Sequence, residues 1–151
     1  MSDYKAGLRN IDNLDRDLSI AFVVGEFNFE YTSEIERQNR DFLEKHGFKN
    51  IDTFFVPGAF ELPGFAKRLI ESEQYDLIIA IGVVIRGDTP HFDYVCNETS
   101  RGIMDLNIVY DVPVIFGVLT CNTEEQVKVR IGPNFAIAGL NLVSEIMKIE
   151  E

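Results

Sequence analysis

The sequence predicts a single α/β domain built on a four-stranded parallel sheet. Four short apolar runs recur along the chain, and each is followed by helical spacing or a helix-start signal. The run at 76–85 is apolar on both faces, as expected of a central parallel strand. A chain of 151 residues has the length of one domain and can bury a substantial core.

The first strand is predicted at 20–24, where the run IAFVV is apolar and rich in β-branched residues. Ser33 and Glu36 then form a capping-box pattern, which predicts that the first helix starts at Ser33. Gly47 fits the position just past this helix, because glycine readily adopts the left-handed backbone found there. A strand followed by a helix is the first half of a βαβ unit.

The second strand is predicted at 52–56, and Pro57-Gly58 ends it. Pro63 suits the first turn of the second helix, since an N–H is not needed there, and this helix is predicted to continue to about residue 72. The third strand follows at 76–85. These elements repeat the strand–helix alternation.

The second half of the chain continues this alternation. A helix is predicted at 92–108, a strand at 113–120, and a short helix capped by the Thr-x-x-Gln pattern at 123–126. Gly132-Pro133 interrupts that helix, and the last helix is predicted at 134–148 from its apolar spacing.

Alternating strands and helices predict a parallel sheet, and right-handed crossovers leave few ways to connect it. The simplest arrangement is a flavodoxin-like three-layer αβα sandwich with strand order 2-1-3-4 and a switch point between the first and third strands. Residues 1–18 are polar and lack clear periodicity. We therefore expect an N-terminal arm, loose or docked on a neighbour, ahead of one domain at 19–151.

Composition narrows the classes of partner. The net charge of −11 argues against a nucleic-acid or anionic-membrane surface, and an anionic substrate would need a local basic pocket. No apolar run approaches the length of a membrane span, and the N-terminus lacks an apolar signal core, so a cytoplasmic location is expected. Cys96 and Cys121 lack metal-ligand spacing and are interpreted as reduced, semi-buried thiols. Without a Walker loop, a G-x-G-x-x-G motif or a ligand cluster, neither cofactor nor metal is expected.

Residues suited to chemistry follow all four predicted strands. Because the carboxyl ends of parallel strands meet at one edge of a sheet, these segments are expected to share one pocket. They are Gly25–Asn28, Val56–Glu61, Ile85–His91 and Gly117–Thr120.

The segment after the third strand is the most informative. Gly87–Thr89 precede a helix, where free N–H groups and the helix dipole suit a phosphate. Asp88 would repel that phosphate unless its side chain points away or caps the helix. His91 follows, and an imidazole titrates near neutral pH, which suits proton transfer. Arg86 and Arg130 are candidate cations for the phosphate, with simple solvent exposure as the alternative for each.

Three further positions are candidates, each with a structural alternative. Phe27 offers a flat apolar face for a heterocycle, or else packs in the core. Pro57–Ala59 are small enough to let the backbone approach a ligand, or else form a plain turn. Glu61 is suited to accept hydrogen bonds from ligand hydroxyls, or else serves as a first-turn acid of a helix.

Several long motifs, in the right order between about residues 20 and 132, resemble the lumazine synthase family of riboflavin biosynthesis. Their number and order argue against a chance match. They are Phe27-Asn28, Val56–Pro63, Gly82–Val95, Pro113–Thr120, and Glu125-Gln126 with Arg130.

The resemblance implies a transferase without metal or redox cofactor. The family joins 5-amino-6-ribitylaminouracil to 3,4-dihydroxy-2-butanone 4-phosphate through a Schiff base, with loss of phosphate and water, and forms homopentamers with sites between subunits. Some members pack their pentamers into capsids, and pentamer, decamer and capsid all stay open for this chain. The resemblance also implies roles for individual residues: His91 would transfer protons, and Phe27 would stack on the pyrimidine. Ala59, Phe60 and Glu61 would contact the ribityl chain and ring, and Val83, Val84 and Ile85 would line the ring site. Asp88 and Thr89 would bind the phosphate, and Phe116 and Arg130 would come from the adjacent subunit.

One stretch departs from the family pattern. Asn134 and Ala138 stand where the family has lysines, so the phosphate site loses positive charge. We expect activity to survive through Arg130, with a weaker hold on the phosphate substrate. Independently of the family, the predicted strand at 113–120 is an apolar sheet edge without charged residues, which indicates self-association because such an edge must be covered.

Other functions remain open on the sequence alone. A relative that binds lumazine or flavin without turnover would fit the missing lysines, although His91 and Arg130 argue against it. A shell-forming relative would use assembly rather than chemistry. A flavodoxin-like electron carrier fits the fold, but the loop at 26–32 lacks the Gly-rich phosphate cradle that such a carrier needs.

Overall fold

The structure is a computed structural model that describes residues 6–150. Four parallel strands form one sheet in the order β2-β1-β3-β4, and helices pack on both faces. This confirms the predicted three-layer α/β fold and its strand order. The strands are β1 (Ile20–Gly25), β2 (Ile51–Val56), β3 (Leu77–Ile85) and β4 (Val114–Cys121), and the helices are α1 (Phe29–Lys45), α2 (Leu62–Glu71), α3 (His91–Val109), α4 (Glu124–Lys128) and α5 (Asn134–Glu150).

The hydrophobic core lies on both faces of the sheet, because successive side chains of a strand point to opposite faces. Phe22 and Ile79 pack on the face covered by α1 and α5, whereas Val23 and Ile78 pack on the face covered by α2 and α3. The central strands β1 and β3 are therefore buried on both sides, which accounts for their continuous apolar sequences.

Helix α1 begins one turn before the predicted start at Ser33, so that prediction is wrong. Asn28 precedes the helix in a left-handed conformation, with φ 58°. The Ser33 hydroxyl donates to the Phe29 carbonyl at 2.5 Å instead of capping the helix. The capping pattern before α4 is confirmed, because the Thr123 hydroxyl accepts from the Gln126 N–H at 3.3 Å.

The described part of the N-terminal segment lies along α5 of the same chain. The Asn141 side chain accepts from the Arg9 N–H at 2.9 Å and donates to the Gly7 carbonyl at 3.0 Å. Ile11 and Leu14 are buried in the core. Residues 6–18 are thus held by the chain's own last helix, and residues 1–5 lie outside the described residues.

Strand β4 forms an open edge of the sheet, since β3 is its only partner within the described residues. Phe116 at this edge remains 39% exposed. A shallow groove beside it is lined by Met104 of α3 and Leu142 of α5, which are also exposed. We call Met104, Phe116 and Leu142 the β4-edge surface. No helix within residues 6–150 has both the length and the apolarity to cross a membrane.

Candidate active site

The carboxyl ends of the strands form a stepped edge. Gly25 at the end of β1 pairs with Val56 at the end of β2. The pairing of β1 with β3 stops at Val24 and Ile81, so β3 continues beyond its neighbour. Val83–Ile85 therefore form one wall of a crevice above the end of β1. This crevice is the switch point between β1 and β3, where α/β sheets bind ligands.

Phe27 lies at the mouth of this crevice and is 72% exposed, so it is not a core aromatic. Its ring lies against Gly58, where a Cβ atom would approach the Phe27 Cδ2 to 2.7 Å. The Gly58 N–H donates to the Glu61 Oε1 at 2.9 Å. The Phe27 ring, the Gly58 backbone and the Glu61 carboxylate are thus assembled in one place, and the missing side chain at Gly58 makes room for the ring.

The turn that carries Ala59–Glu61 is a single turn of 3₁₀-helix packed directly on the sheet. A Cβ atom on Gly82 of β3 would lie 3.2 Å from the Cβ of Ala59, so glycine permits this close packing. The buried Thr99 hydroxyl of α3 donates to the Ala59 carbonyl at 3.2 Å. Phe60 is exposed, whereas Ala59 is buried, so of these two only Phe60 presents a free side chain at the surface.

Asn28 connects the end of β1 to β3. Its side-chain amide donates to the Val83 carbonyl at 2.9 Å. Asparagine is one of the few residues that adopt the left-handed conformation without much strain, so the same residue turns the chain and makes the cross-link. The adjacent Phe27 N–H donates to the Pro57 carbonyl at 3.0 Å, which fixes Phe27 from the β2 side.

The segment 87–90 leads from β3 into α3, which begins at His91. The Thr89 hydroxyl accepts from the His91 N–H at 3.4 Å. Asp88 is exposed and does not cap the helix, because Pro90 occupies the N-cap position. The N-terminus of a long helix therefore opens towards solvent, with Thr89 and His91 at its start.

His91 lies on the side of α3 that faces the 3₁₀ turn. It precedes Val95 by four residues and Thr99 by eight, and this spacing places all three on one helix face. Val95 is buried against the α2 side of the core, and Thr99 contacts Ala59. The imidazole of His91 is exposed, two helical turns before Thr99.

Arg86 is exposed and also contacts three neighbouring side chains. Its Nε donates to the Asn122 Oδ1 at 2.9 Å, and its Nη2 lies 3.5 Å from the Asp93 Oδ1. Its guanidinium carbon lies 4.4 Å from the centroid of the Phe92 ring. Because Asp93 offsets its charge, Arg86 does not have the arrangement expected of a phosphate ligand.

Phe116 lies on β4, and Arg130 lies in the segment that follows α4. Phe116 pairs with Ala80, which is about 10 Å along the strand from Val83 at the usual rise per residue. Arg130 lies beyond the end of α4, where its Nη1 donates to the Gln126 carbonyl at 2.8 Å. Both residues lie on or beyond β4, the open side of the sheet.

Two cysteines lie near this edge, and both thiols are free. Burial raises the pKa of Cys121 and of Cys96, so both remain protonated near neutral pH and neither is an activated nucleophile. Within residues 6–150, no three His, Cys, Asp or Glu side chains converge on a point that could hold a metal ion. The imidazole of His91 is exposed at the start of α3.

Helix α4 is joined to α1 near the site. The Tyr31 hydroxyl donates to the Glu124 Oε1 at 2.7 Å. This hydrogen bond is the main cause of a Tyr31 pKa raised to about 12, with burial and the Glu124 charge adding to it. No local sequence pattern predicts the Tyr31–Glu124 hydrogen bond, because the two residues are far apart in the sequence.

Comparison with known proteins agrees with this geometry. Residues 17–149 match the family model described as 6,7-dimethyl-8-ribityllumazine synthase. The chain is 43% identical over 138 residues to the 6,7-dimethyl-8-ribityllumazine synthase of Thermococcus onnurineus, covering 87% of this chain and 91% of that protein. It is 46% identical over 125 residues to the enzyme of the same name from Parabacteroides distasonis, covering 82% of this chain and 78% of that protein.

The family match at residues 17–149 includes the whole stepped edge described above, from Phe27 to Arg130. The strand order and the position of the crevice also agree with what the resemblance in sequence implies. The chain therefore belongs to the 6,7-dimethyl-8-ribityllumazine synthase family of transferases in riboflavin biosynthesis.

Proposed function

We propose that this chain condenses 5-amino-6-ribitylaminouracil with 3,4-dihydroxy-2-butanone 4-phosphate at the carboxyl edge of its sheet. The observation that carries the proposal is the assembly of Phe27, Gly58 and Glu61 beside the end of β1, in a member of this family whose α3 begins just after β3. The products are 6,7-dimethyl-8-ribityllumazine, phosphate and water.

The pyrimidine ring binds between Phe27 and the end of β3. An exposed aromatic face backed by Gly58 provides a rigid stacking surface. Beyond Ile81, β3 has no β1 partner, so the main-chain groups of Val83–Ile85 on that side are available to the polar edge of the ring. The Val83 carbonyl is the exception, because it accepts from Asn28.

The ribityl chain extends along the 3₁₀ turn. Glu61 uses one carboxylate oxygen to accept from the Gly58 N–H, which fixes the side chain and leaves its second oxygen for ligand hydroxyls. Ala59 and Phe60 complete this wall, with the Phe60 side chain exposed beside it. The structural and the ligand-binding roles of Glu61 are therefore compatible.

The phosphate of the second substrate binds at the start of α3. Free N–H groups and the helix dipole favour an anion there, and the Thr89 hydroxyl lies beside them. Asp88 would contribute through its main chain, with its carboxylate turned away from the anion. A strongly acidic chain needs a cation at this point, and Arg130 of an adjacent subunit supplies it, since Arg86 is already paired with Asp93.

His91 transfers protons in this scheme. The uracil amine attacks the ketone carbonyl, its proton moves to the carbonyl oxygen, and loss of water gives the Schiff base. Proton abstraction then expels phosphate and leaves an enol, which tautomerises to a ketone. The second amine attacks this carbonyl and closes the ring with loss of a second water. One imidazole near the crevice can serve these steps in turn, while binding of both substrates supplies proximity. This chemistry requires no metal or redox cofactor.

The working site lies between subunits. Phe116 lies on β4 and Arg130 lies after α4, and the β4-edge surface is apolar and exposed. A homopentamer would cover this edge and bring both residues to the crevice of the next subunit. Two free cysteines are consistent with a reducing, cytoplasmic compartment.

The test is to mix both substrates with the purified chain and follow the fluorescence of the lumazine product. Sustained turnover supports the proposal. Binding of the product without turnover would instead identify a non-catalytic lumazine-binding relative, and assembly without either would identify a shell protein.

Sharing of the site is tested by mixing two inactive variants, His91→Ala and Arg130→Ala, after joint refolding. In a randomly mixed ring, about a quarter of the sites would combine an intact His91 with an intact Arg130 from the neighbouring subunit. This follows because each site is formed by different surfaces of two successive subunits. Recovery of activity supports the shared site. No recovery, with mixed assembly shown by light scattering and a mass tag on one variant, contradicts it.

A further inference from the structure

We infer that Arg86 is a positioning residue for His91. Its contacts fix the end of the 87–90 loop and thereby hold His91 over the crevice. The catalytic consequence of this inference rests on the proposed function, whereas its structural consequence does not.

The clamp consists of four contacts, two towards α3 and two towards the end of β4. Towards α3, the Arg86 guanidinium lies over the Phe92 ring and 3.5 Å from the Asp93 carboxylate. Towards β4, its Nε donates to the Asn122 side chain, and its main-chain N–H donates to the Cys121 carbonyl at 2.9 Å. One side chain therefore joins the end of β3, the connection after β4 and the first turn of α3.

The loop between these anchors is held by little else. Its hydrogen bonds within residues 6–150 are local, from the His91 N–H to Thr89 and from the Asp93 N–H to Pro90. Phe92 and Asp93, which Arg86 contacts, follow His91 directly in the sequence. Releasing the guanidinium would therefore free the main chain around His91 before it would disturb the sheet.

The opposite anchor is itself fixed. The Asn122 N–H donates to the Gln126 Oε1 at 2.7 Å, and the Gln126 N–H donates to the Thr123 hydroxyl. This capping arrangement makes Asn122 part of a stable helix start rather than a mobile loop. Arg86 thus transmits the position of α4 to the first turn of α3.

The geometry distinguishes a clamp from a phosphate ligand. A planar guanidinium can stack on Phe92 while its edge donates to Asn122 and faces Asp93, whereas a lysine ammonium cannot do all three. Charge alone would therefore not preserve the function. If Arg86 instead bound the phosphate, lysine would largely replace it, and loss of Asn122 would have little effect on turnover.

The test uses Arg86→Lys, Arg86→Met and Asn122→Ala, with Arg37→Met as the matched control. Arg37 is likewise an exposed arginine held by neighbouring side chains, here the carboxylates of Glu34 and Asp41, but it lies on α1. The chain contains two histidines, so the imidazole C–H resonances of His91 can be followed by NMR with His46 as an internal reference.

We expect the His91 resonance to shift and broaden in all three variants while His46 stays unchanged, and the Arg37→Met protein to match the wild type. Turnover should fall by about 10- to 100-fold, since a displacement of about 1 Å near the chemistry can cost that much, while KM for the butanone phosphate changes little. If Arg86→Met does not fold, the comparison of Asn122→Ala and Arg86→Lys with the wild type is sufficient for the test.

An unchanged His91 resonance in Arg86→Lys and Asn122→Ala would overturn the inference. A raised KM for the phosphate substrate with unchanged kcat would also overturn it, and would make Arg86 a phosphate ligand. A wild-type chain without turnover would refute the proposed function alone, because the NMR comparison decides the positioning role without catalysis.

Discussion

The Asn28 side-chain amide donates to the Val83 carbonyl at 2.9 Å, and this single hydrogen bond ties the first βα turn to the wall of the crevice. Asn28 also adopts the left-handed conformation, with φ 58°, from which α1 starts at Phe29. The stacking ring and the ring-site wall are therefore positioned by the same residue.

Replacing Asn28 should separate these two contributions. Asn28→Gly keeps the backbone conformation but loses the amide, and should cost about 1 kcal/mol of unfolding free energy. Asn28→Ala loses both and should cost about 2–3 kcal/mol, because a left-handed alanine is strained. Urea unfolding measures both values. Equal stability of the two variants would show that the conformation contributes nothing.

The fit of Phe27 against Gly58 predicts a specific effect on substrate binding. In Gly58→Ala, the new methyl group would lie 2.7 Å from the Phe27 Cδ2, so the ring must move. KM for the ribitylaminouracil should rise about tenfold, since stacking of a base on an aromatic side chain is worth about 1–3 kcal/mol. Gly58 has an extended backbone that alanine adopts without strain, so stability should change less.

Gly64→Ala is the control for this experiment. Gly64 lies in α2 with open space around its Cα, so alanine meets no neighbour there. The substitution should stabilise the helix by about 0.5–1 kcal/mol and leave KM unchanged. A similar KM in Gly58→Ala and in wild type would show that Phe27 does not stack on the substrate.

The missing lysines predict a weak hold on the phosphate substrate. Asn134 begins α5 and Ala138 is exposed one turn further, so both positions can accept a lysine side chain. The double variant Asn134→Lys, Ala138→Lys should lower KM for the butanone phosphate, and the gain should shrink at high salt because exposed charges are screened.

A charge-matched variant controls for the change in net charge. Glu73→Gln with Gln74→Lys also raises the net charge by two, but these exposed residues precede β3 at the opposite edge of the sheet. Its KM should equal that of the wild type. An unchanged KM in the α5 double variant would remove the idea that the two substitutions weaken phosphate binding.

The Tyr31–Glu124 hydrogen bond predicts a loss of stability at high pH. The folded state raises the Tyr31 pKa from its ordinary 10.0 to about 12, mainly through this hydrogen bond, so folding favours the neutral phenol. The stabilisation is therefore complete below pH 10.0 and disappears as the pH rises towards 12. Urea midpoints of wild type and Tyr31→Phe, measured between these values, should converge. Parallel pH profiles would contradict the role of this pair.

Local sequence signals accounted for the architecture. Apolar runs identified the four strands, and the Thr123–Gln126 pattern and Pro63 correctly marked helix starts, because these signals depend on neighbouring residues. The Ser33 pattern failed because Asn28 starts the helix earlier, through a hydrogen bond to Val83 that lies 55 positions away in the sequence. Such a tertiary contact leaves no local pattern.

The candidate site was predictable in outline but not in detail. Parallel strands necessarily bring Phe27, Glu61 and Thr89 to one edge of the sheet, so the topology was sufficient for these residues. For Arg86 the sequence favoured solvent exposure over phosphate binding, and the structure shows it exposed but in contact with Asn122 and Asp93, which the sequence did not indicate. Contacts of this kind depend on the distances between segments that are far apart in the sequence, and composition and residue spacing do not reveal these distances.

The initial rate of lumazine formation by wild type and by His91→Ala, with both substrates at saturation, tests the central claim most directly. The wild type should form product, and the variant should lose about two to four decades of kcat as the upper expectation for a positioned acid–base group. Because His91 is exposed at the start of α3, the substitution should leave the fold intact, which circular dichroism can verify. A folded His91→Ala protein with nearly the wild-type rate would contradict the account.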